Sequence, residues 1–249
     1  MMKIALCLSG QPRVVDVGYH KLKQSILHNN NVDVFIHTWF DSNNLSTNSV
    51  IPGRESHSLD PLAIEKLKDY YQPKKLLVEK PKHWKRNYGF PDKCFTDAWT
   101  WALEVNGGLD VAKDYITNIT HSMFYSMMMA NLIKEQYSVE NEVEYDLVIR
   151  NRIDYSPHVI LDLNNINIED DVLVYQDLNQ PHGMISDWFG MGTTNTMNVF
   201  CGVYNHIGQL IRQSTKVDGF WCNELLLKHH IDNNNIKRNS VDYQCIINE

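Results

Sequence analysis

The opening of the chain alternates in a way that few folds can satisfy. Lys3 to Ser9 is a short apolar run, stopped by Ser9-Gly10-Gln11-Pro12-Arg13. That is the pattern of a buried strand entering a tight loop. Residues 14–28 can form a helix, Asn29-Asn30-Asn31 makes a polar turn, and Val32 to Trp39 is a second β-rich run. Strand, loop, helix and strand in so short a span predict a βαβ unit, whose two strands run parallel.

The alternation continues. Asp60-Pro61 opens a helix to about Tyr71, with Asp60 as cap and Pro61 in the first turn, and Lys75 to Glu79 is a third strand. Thr120 to Tyr137 reads as a helix apolar nearly all round, which belongs inside a domain against a sheet, with its methionines as core filler. Asp146 to Tyr155, Val172 to Tyr175, Ile185 to Met191 and Ile236 to Val241 read as strands, and Met197 to Arg212 and Phe220 to Ile231 as helices. Residues 40–58 read as a polar surface loop. Residues 80–115, with Trp84, Tyr88, Phe90, Trp99 and Trp101 among charges and glycines, read as an excursion or lid over a site. The class is α/β, expected as one domain with a mostly parallel central sheet and a helical C-terminal part.

Composition narrows the function. With 21% charged residues and a formal net charge of −7 in 249 residues, a broad nucleic-acid-binding face is not expected, although a local basic pocket is. Five scattered cysteines without a CxxC pair argue against a disulfide framework or zinc site and for a reducing compartment. Cys7 reads as a core residue. Ile4 to Leu8 is too short for a signal-peptide core or a membrane span, so a cytoplasmic protein without a membrane span is expected, and the sequons at Asn44 and Asn118 read as chance matches.

Chemistry is expected at the carboxyl ends of the strands, where open α/β sheets bind ligands. After the first strand, Gly10 allows close backbone approach, Ser9 and Gln11 can hydrogen-bond a base or ribose, and Arg13 can pair with phosphate. The loop is neither a Walker loop nor a GxGxxG turn, which weighs against ATPases and ordinary dinucleotide enzymes. His37 with Trp39 ends the second strand and either stacks on a base or fills the core; His121 either joins that rim or packs. Side chains alternate along a strand, so Arg150, Arg152 and Asp154 share one face while Leu147, Ile149 and Ile153 turn to the core. That set suits a phosphate ester with a metal ion, or an internal ion pair. Asp187, among aromatic and apolar residues, is a candidate general base whose pKa burial would raise, or else an acceptor of turn amides. Glu224, at the start of a helix, either orients a substrate hydroxyl or closes a cap. His229-His230 lacks partners at metal-ligand spacing and reads as a solvated helix end, and Asp232 to Asn235 as a turn.

Four segments in series, Leu8 to Arg13, Asp33 to Trp39, His121 to Ser126 and Asp146 to Asp154, carry a family likeness, joined by Ser186 to Gly192 and Asn223 to Leu226. On them the chain resembles the small GT-A-type glycosyltransferases of large DNA viruses, phages and bacterial surface-polysaccharide clusters. The resemblance spans residues 2 to about 240. It implies a GT-A-like, Rossmann-like domain with a nucleotide-sugar donor half (1–155) and an acceptor and catalytic half (156–249). It implies transfer of a sugar from a nucleoside-diphosphate sugar, UDP-sugar favoured, to a hydroxyl of a glycan or glycoconjugate, in the cytoplasm (the host's, for a virus).

By the same resemblance Ser9, Gly10, Gln11, Arg13, His37, Arg150, Arg152 and Asp154 bind the donor. Trp188 and Glu224 hold the acceptor, and Asp187 is the base of an inverting reaction or, in a retaining one, a ligand of sugar hydroxyls. The family's DxD motif, which binds Mn2+ or Mg2+, is altered: Arg152 stands at its first Asp, leaving Asp154 alone for the metal. Either Asp154 holds the ion with water and phosphate oxygens, or the arginines neutralise the diphosphate themselves. Two other functions stay open: a non-catalytic nucleotide- or sugar-binding protein of this fold, and a sugar nucleotidyltransferase, which would need a Gly-rich loop with Lys after the first strand.

Overall fold

The computed structural model describes residues 2–28, 30–46, 58–84, 109–157, 161, 163, 168–176, 181–241 and 245–247. Its strands are β1 (Lys3–Gly10), β2 (Asn31–Trp39), β3 (Lys75–Glu79), β4 (Leu147–Arg152), β5 (Tyr155–Pro157), β6 (Val172–Gln176), β7 (Phe189–Gly192), β8 (Lys237–Val241) and β9 (Cys245–Ile247). Seven of them form one sheet in the order β3-β2-β1-β4-β7-β6-β8, and β5 pairs with β9 in a separate ribbon. Within the large sheet neighbours are parallel except at β7, which is antiparallel to both β4 and β6. The architecture is α/β and compatible with a Rossmann-like fold.

The apolar run of β1 is continuous because both of its faces are covered. Ile4, Leu6 and Leu8 pack with helices α1 (Val15–Leu22) and α2 (Ala63–Tyr71), through residues such as Val15, Leu22, Ile64 and Leu67. Ala5 and Cys7 face the other way, onto Phe124, Met127, Ala130 and Ile133 of the long helix α3 (Leu109–Asn141). That second core extends through α4 (Thr194–Cys201), α5 (Ile207–Asp218) and α6 (Asn223–Asn233) by way of Met197, Phe200, Leu210 and Leu226. No helix among the described residues is long and apolar enough to cross a membrane.

Several boundaries differ from those expected. The strand predicted over Asp146 to Tyr155 stops at Arg152, because Ile153 and Asp154 form a turn and Tyr155 starts the β5 ribbon. Helix α3 begins at Leu109, well before Thr120, and the helix expected over Met197 to Arg212 is broken by a 3-10 segment at Gly202–His206. Of the Ile185 to Met191 run only Phe189 to Met191 is strand, and that strand continues to Gly192. The helix at Asp60-Pro61 opens as expected in kind: the Asp60 carboxylate accepts the Leu62 amide at 2.8 Å before the first helical turn. Of the methionines, Met127 is wholly buried, while Met123, Met128 and Met129 are half-buried. Most of the two segments read as a loop and a lid, residues 47–57 and 85–108, lies outside the described residues.

The sheet order positions the site. From β1 the chain builds outward to β2 and β3, and it then crosses over so that β4 lies on the other side of β1. The carboxyl ends of β1 and β4 therefore flank a topological switch point, where sheets of this class take ligands.

Strand β7, which lies against β4, depends on a missing side chain. A Cβ built at Gly190 would stand 2.9 Å from the Phe200 ring. Gly190→Ala is therefore expected to cost about 1–3 kcal/mol by overpacking, read as a lower urea midpoint at unchanged m-value.

Candidate active site

Ser9 and Arg152 are direct neighbours across the β1–β4 pair, and Arg150 sits one pleat back beside Cys7 and, across β7, Gly190. Arg150 is 1% exposed. Its Nη2 donates to Ser9 Oγ at 3.2 Å, while its Nε and Nη1 are buried without a hydrogen-bond partner. Burial pushes its pKa down to about 10, against the opposing pull of the Asp187 carboxylate. A planar guanidinium with two unused donors is the group best shaped to receive an oxyanion.

Arg152 is engaged instead. Its Nε and Nη2 donate to the two carboxylate oxygens of Asp154 at 2.8 and 2.7 Å, a bidentate fork, and its guanidinium carbon lies 5.8 Å from the centre of the Trp188 ring. Because the strand ends at Arg152, Asp154 does not continue its face but folds back onto it. Burial works against the Asp154 charge, and Arg152 more than offsets it, holding the carboxyl below its ordinary value; Arg13 adds to the same effect. Arg13 itself donates to the Gln11 side-chain oxygen, 2.9 Å from its Nε.

Asp187 lies in the bend just before β7 and is 4% exposed. Burial raises its pKa, opposed by Arg150 and then Arg152. Glu224, in the first turn of α6, is half-buried, and the Glu224 carbonyl accepts the Ile185 amide at 3.3 Å, which ties α6 to the approach to β7. Its carboxyl is pushed up to about 7, first by burial and then by the charge of Asp187. Burial and the nearby Asp187 charge together favour the protonated form of the Glu224 carboxyl. Opposite them, Thr120 of α3 donates to Asn223 at 2.8 Å, fixing the start of α6 to α3.

The tertiary structure thus gathers Ser9, Arg13, Arg150, Arg152, Asp154, Asp187 and Glu224 at the switch point. His37 stands beside Ser9 in the β1–β2 pair but is wholly buried, with Nδ1 on Ser126 Oγ (2.7 Å) and Nε2 on Glu79 (3.0 Å), so both of its nitrogens are engaged. Trp188 packs edge-on against Tyr155 and beneath Arg152. His121 is buried with Nδ1 on the Thr117 carbonyl at 2.8 Å, and stacks with Trp84. His229 and His230, expected on a solvated helix end, are buried: His229 pairs with Asp218 at 2.6 Å and His230 with the Val199 carbonyl at 3.0 Å. Sequence reading passed over Ser126 and Glu79; the available signal was a polar residue on an apolar helix and one at a strand end.

The described residues do not fit a divalent ion held by protein ligands. Asp154, the one residue expected to bind it, has both oxygens on Arg152, and among the described residues no three His, Cys, Asp or Glu side chains stand together in a metal-holding group. One described cavity, about 780 Å3 and lined by Ile64, Lys68, Leu76 and Val78 among others, lies at the β3 edge, three strands from β4. No protein-family model matches the chain, and no curated protein matches it either.

Glu224 binds its proton more tightly folded than unfolded, so ionising it costs stability as pH rises from its ordinary value of 4.5 through about 7. Glu224→Gln is expected to remove that loss, by up to about 3 kcal/mol. Denaturant titrations of both proteins at about pH 5 and about pH 8 would measure it, the variant gaining only at the higher pH.

Proposed function

We propose that the protein is a glycosyltransferase of GT-A form, which moves a sugar from a nucleoside-diphosphate sugar, UDP-sugars first among them, to a hydroxyl of a glycan or glycoconjugate. The observation that carries this reading is the buried Arg150, with two unpartnered donors, in the field of Asp187, whose charge also acts on Glu224. The guanidinium suits the charge of a leaving diphosphate, and the carboxyls suit the proton of an attacking hydroxyl.

In the proposed reaction the bond from the anomeric carbon to the β-phosphate oxygen breaks, and its electron pair leaves with the nucleoside diphosphate. Arg150 meets that developing charge, with Arg13 and Arg152 nearby. The acceptor oxygen bonds to the anomeric carbon, and its proton passes to the carboxylate pair. Glu224, pushed up to about 7, is the better matched base at neutral pH, and the Asp187 carboxyl beside it is itself raised by burial against the pull of Arg150. Asp187 acts on that proton through its charge on Glu224. The closed Arg152–Asp154 fork favours charge neutralisation by arginine over a metal ion. It is also the observation that favours the second reading, a nucleotide- or sugar-binding protein without transfer.

Thermal shifts with UDP-, GDP- and CMP-sugars, followed by donor hydrolysis and transfer assays, test this. Arg150→Lys keeps the charge but loses the planar donors, and is expected to weaken nucleoside-diphosphate binding roughly ten- to hundredfold. Glu224→Gln is expected to slow turnover on the order of a hundredfold or more with nucleotide affinity nearly unchanged. A donor that binds with neither hydrolysis nor transfer would establish the binding-protein reading instead.

A further inference from the structure

Gly10 is the last residue of β1 and has φ +121°, a conformation L side chains rarely adopt. The β1–β4 ladder has ended one residue earlier, at Ser9 opposite Arg152, while Gly10 still stands opposite Thr38 in the β1–β2 pair. The Gly10 amide donates to Ser126 Oγ on α3 at 3.0 Å, and the Gly10 carbonyl accepts from Thr38 Oγ1 at 2.9 Å. The residue that turns the chain into the Gln11–Arg13 loop is therefore clamped at both ends by side chains of other elements.

Ser126 is itself held. Its Oγ lies 2.7 Å from His37 Nδ1, and His37 Nε2 lies 3.0 Å from Glu79 Oε2. Lys82 Nζ donates to Glu79 Oε1 at 2.6 Å and to Tyr125 OH at 2.8 Å. These are the charged and titratable groups that meet the ring: Glu79 from β3, Lys82 just beyond it, and Tyr125 edge-on from α3, with Trp39 beside it. Burial lowers the His37 pKa against the pull of Glu79, so the ring is neutral and carries one proton. A nitrogen facing a carboxylate must be the protonated one, so Nε2 donates to Glu79 and Nδ1 accepts. The Ser126 hydroxyl has two acceptors in reach, His37 Nδ1 at 2.7 Å and the His37 carbonyl at 3.4 Å; donation to the nearer Nδ1 leaves its lone pairs for Gly10. The chain of bonds has a single polarity, from the Gly10 amide through Ser126 and His37 to Glu79.

We infer that His37 is a positioning residue: through the Ser126 hydroxyl it fixes the Gly10 amide, and with it the Gln11–Arg13 loop on which the nucleoside diphosphate docks. Docking rests on the function proposed above; the holding of the loop does not. A wholly buried polar ring is costly unless its hydrogen bonds are all used, and here both nitrogens are.

The test is amide hydrogen exchange at Gly10 by NMR, together with titrations of UDP, GDP and CMP. Ser126→Ala is expected to speed Gly10 exchange roughly five- to tenfold and to weaken the tightest nucleotide by a similar factor, one hydrogen bond's worth. Exchange at Leu6 and Val148, in the strand interiors, should stay unchanged. His37→Asn places an amide oxygen where Nδ1 stands and should keep Gly10 protected. His37→Gln reaches toward Glu79 instead and should not, a contrast that general loss of packing would not produce. Nitrogen chemical shifts should show the His37 ring protonated on Nε2 at neutral pH. Unchanged Gly10 exchange in Ser126→Ala, or a ring protonated on Nδ1, would overturn the inference. If Gly10 responds as expected while no nucleotide binds the wild-type protein, the positioning stands and the nucleoside-diphosphate reading falls.

Discussion

A guanidinium buried at the end of β4 is the constraint on which its surroundings depend. A charge removed from water is tolerated only when opposite charge and hydrogen bonds replace the water. Arg150 donates one hydrogen bond, to Ser9 Oγ, and feels the field of Asp187. Asp187 in turn sits close enough to Glu224 to raise its proton affinity, so the cost of burying one arginine spreads into a coupled set of three groups from β4, the approach to β7, and α6. Two donors of Arg150 remain unused. Leaving such groups unmet costs about 1–3 kcal/mol each.

The second arginine of the same strand end is settled internally. Arg152 and Asp154 satisfy each other through two short bonds, with the Trp188 ring close to the guanidinium. One strand end thus carries a closed ion pair and an open cation within two residues of each other. The difference arises from the turn at Ile153–Asp154, which brings a carboxylate back onto the Arg152 guanidinium, while Arg150 sits one pleat deeper.

The histidines follow the rule that buried polar groups need partners. His37 spans two strands and a helix, His229 meets Asp218, and His230 caps the Val199 carbonyl. None of these partners lies near its histidine in sequence, the closest being Asp218, eleven residues away. A local reading places a histidine pair at a helix end in solvent; only the packing of α6 against α5 and α4 buries it. The switch-point group was legible in part for the same reason. Ser9, Arg150, Asp187 and Glu224 stood out singly, by residue type at a strand or helix end. That Asp187 and Glu224 share a field, and that Ser126 reaches Gly10, follow from contacts over 37 and 116 residues of chain.

What the sequence by itself determined is the alternation: apolar runs of strand length, separated by a helix, force parallel strands and so a sheet covered on both faces. Local propensity and hydrophobic period act over a few residues, and that range suffices for the elements and for the loop after β1. The tertiary structure decided where strands end and which charges meet. The ladder between β1 and β4 stops at Ser9 and Arg152; just past it the Gly10 amide meets Ser126 and the Asp154 carboxylate folds back to Arg152. A side chain's charge and hydrogen bonds depend on what surrounds it in space, and in this chain those surroundings come from segments far apart along it.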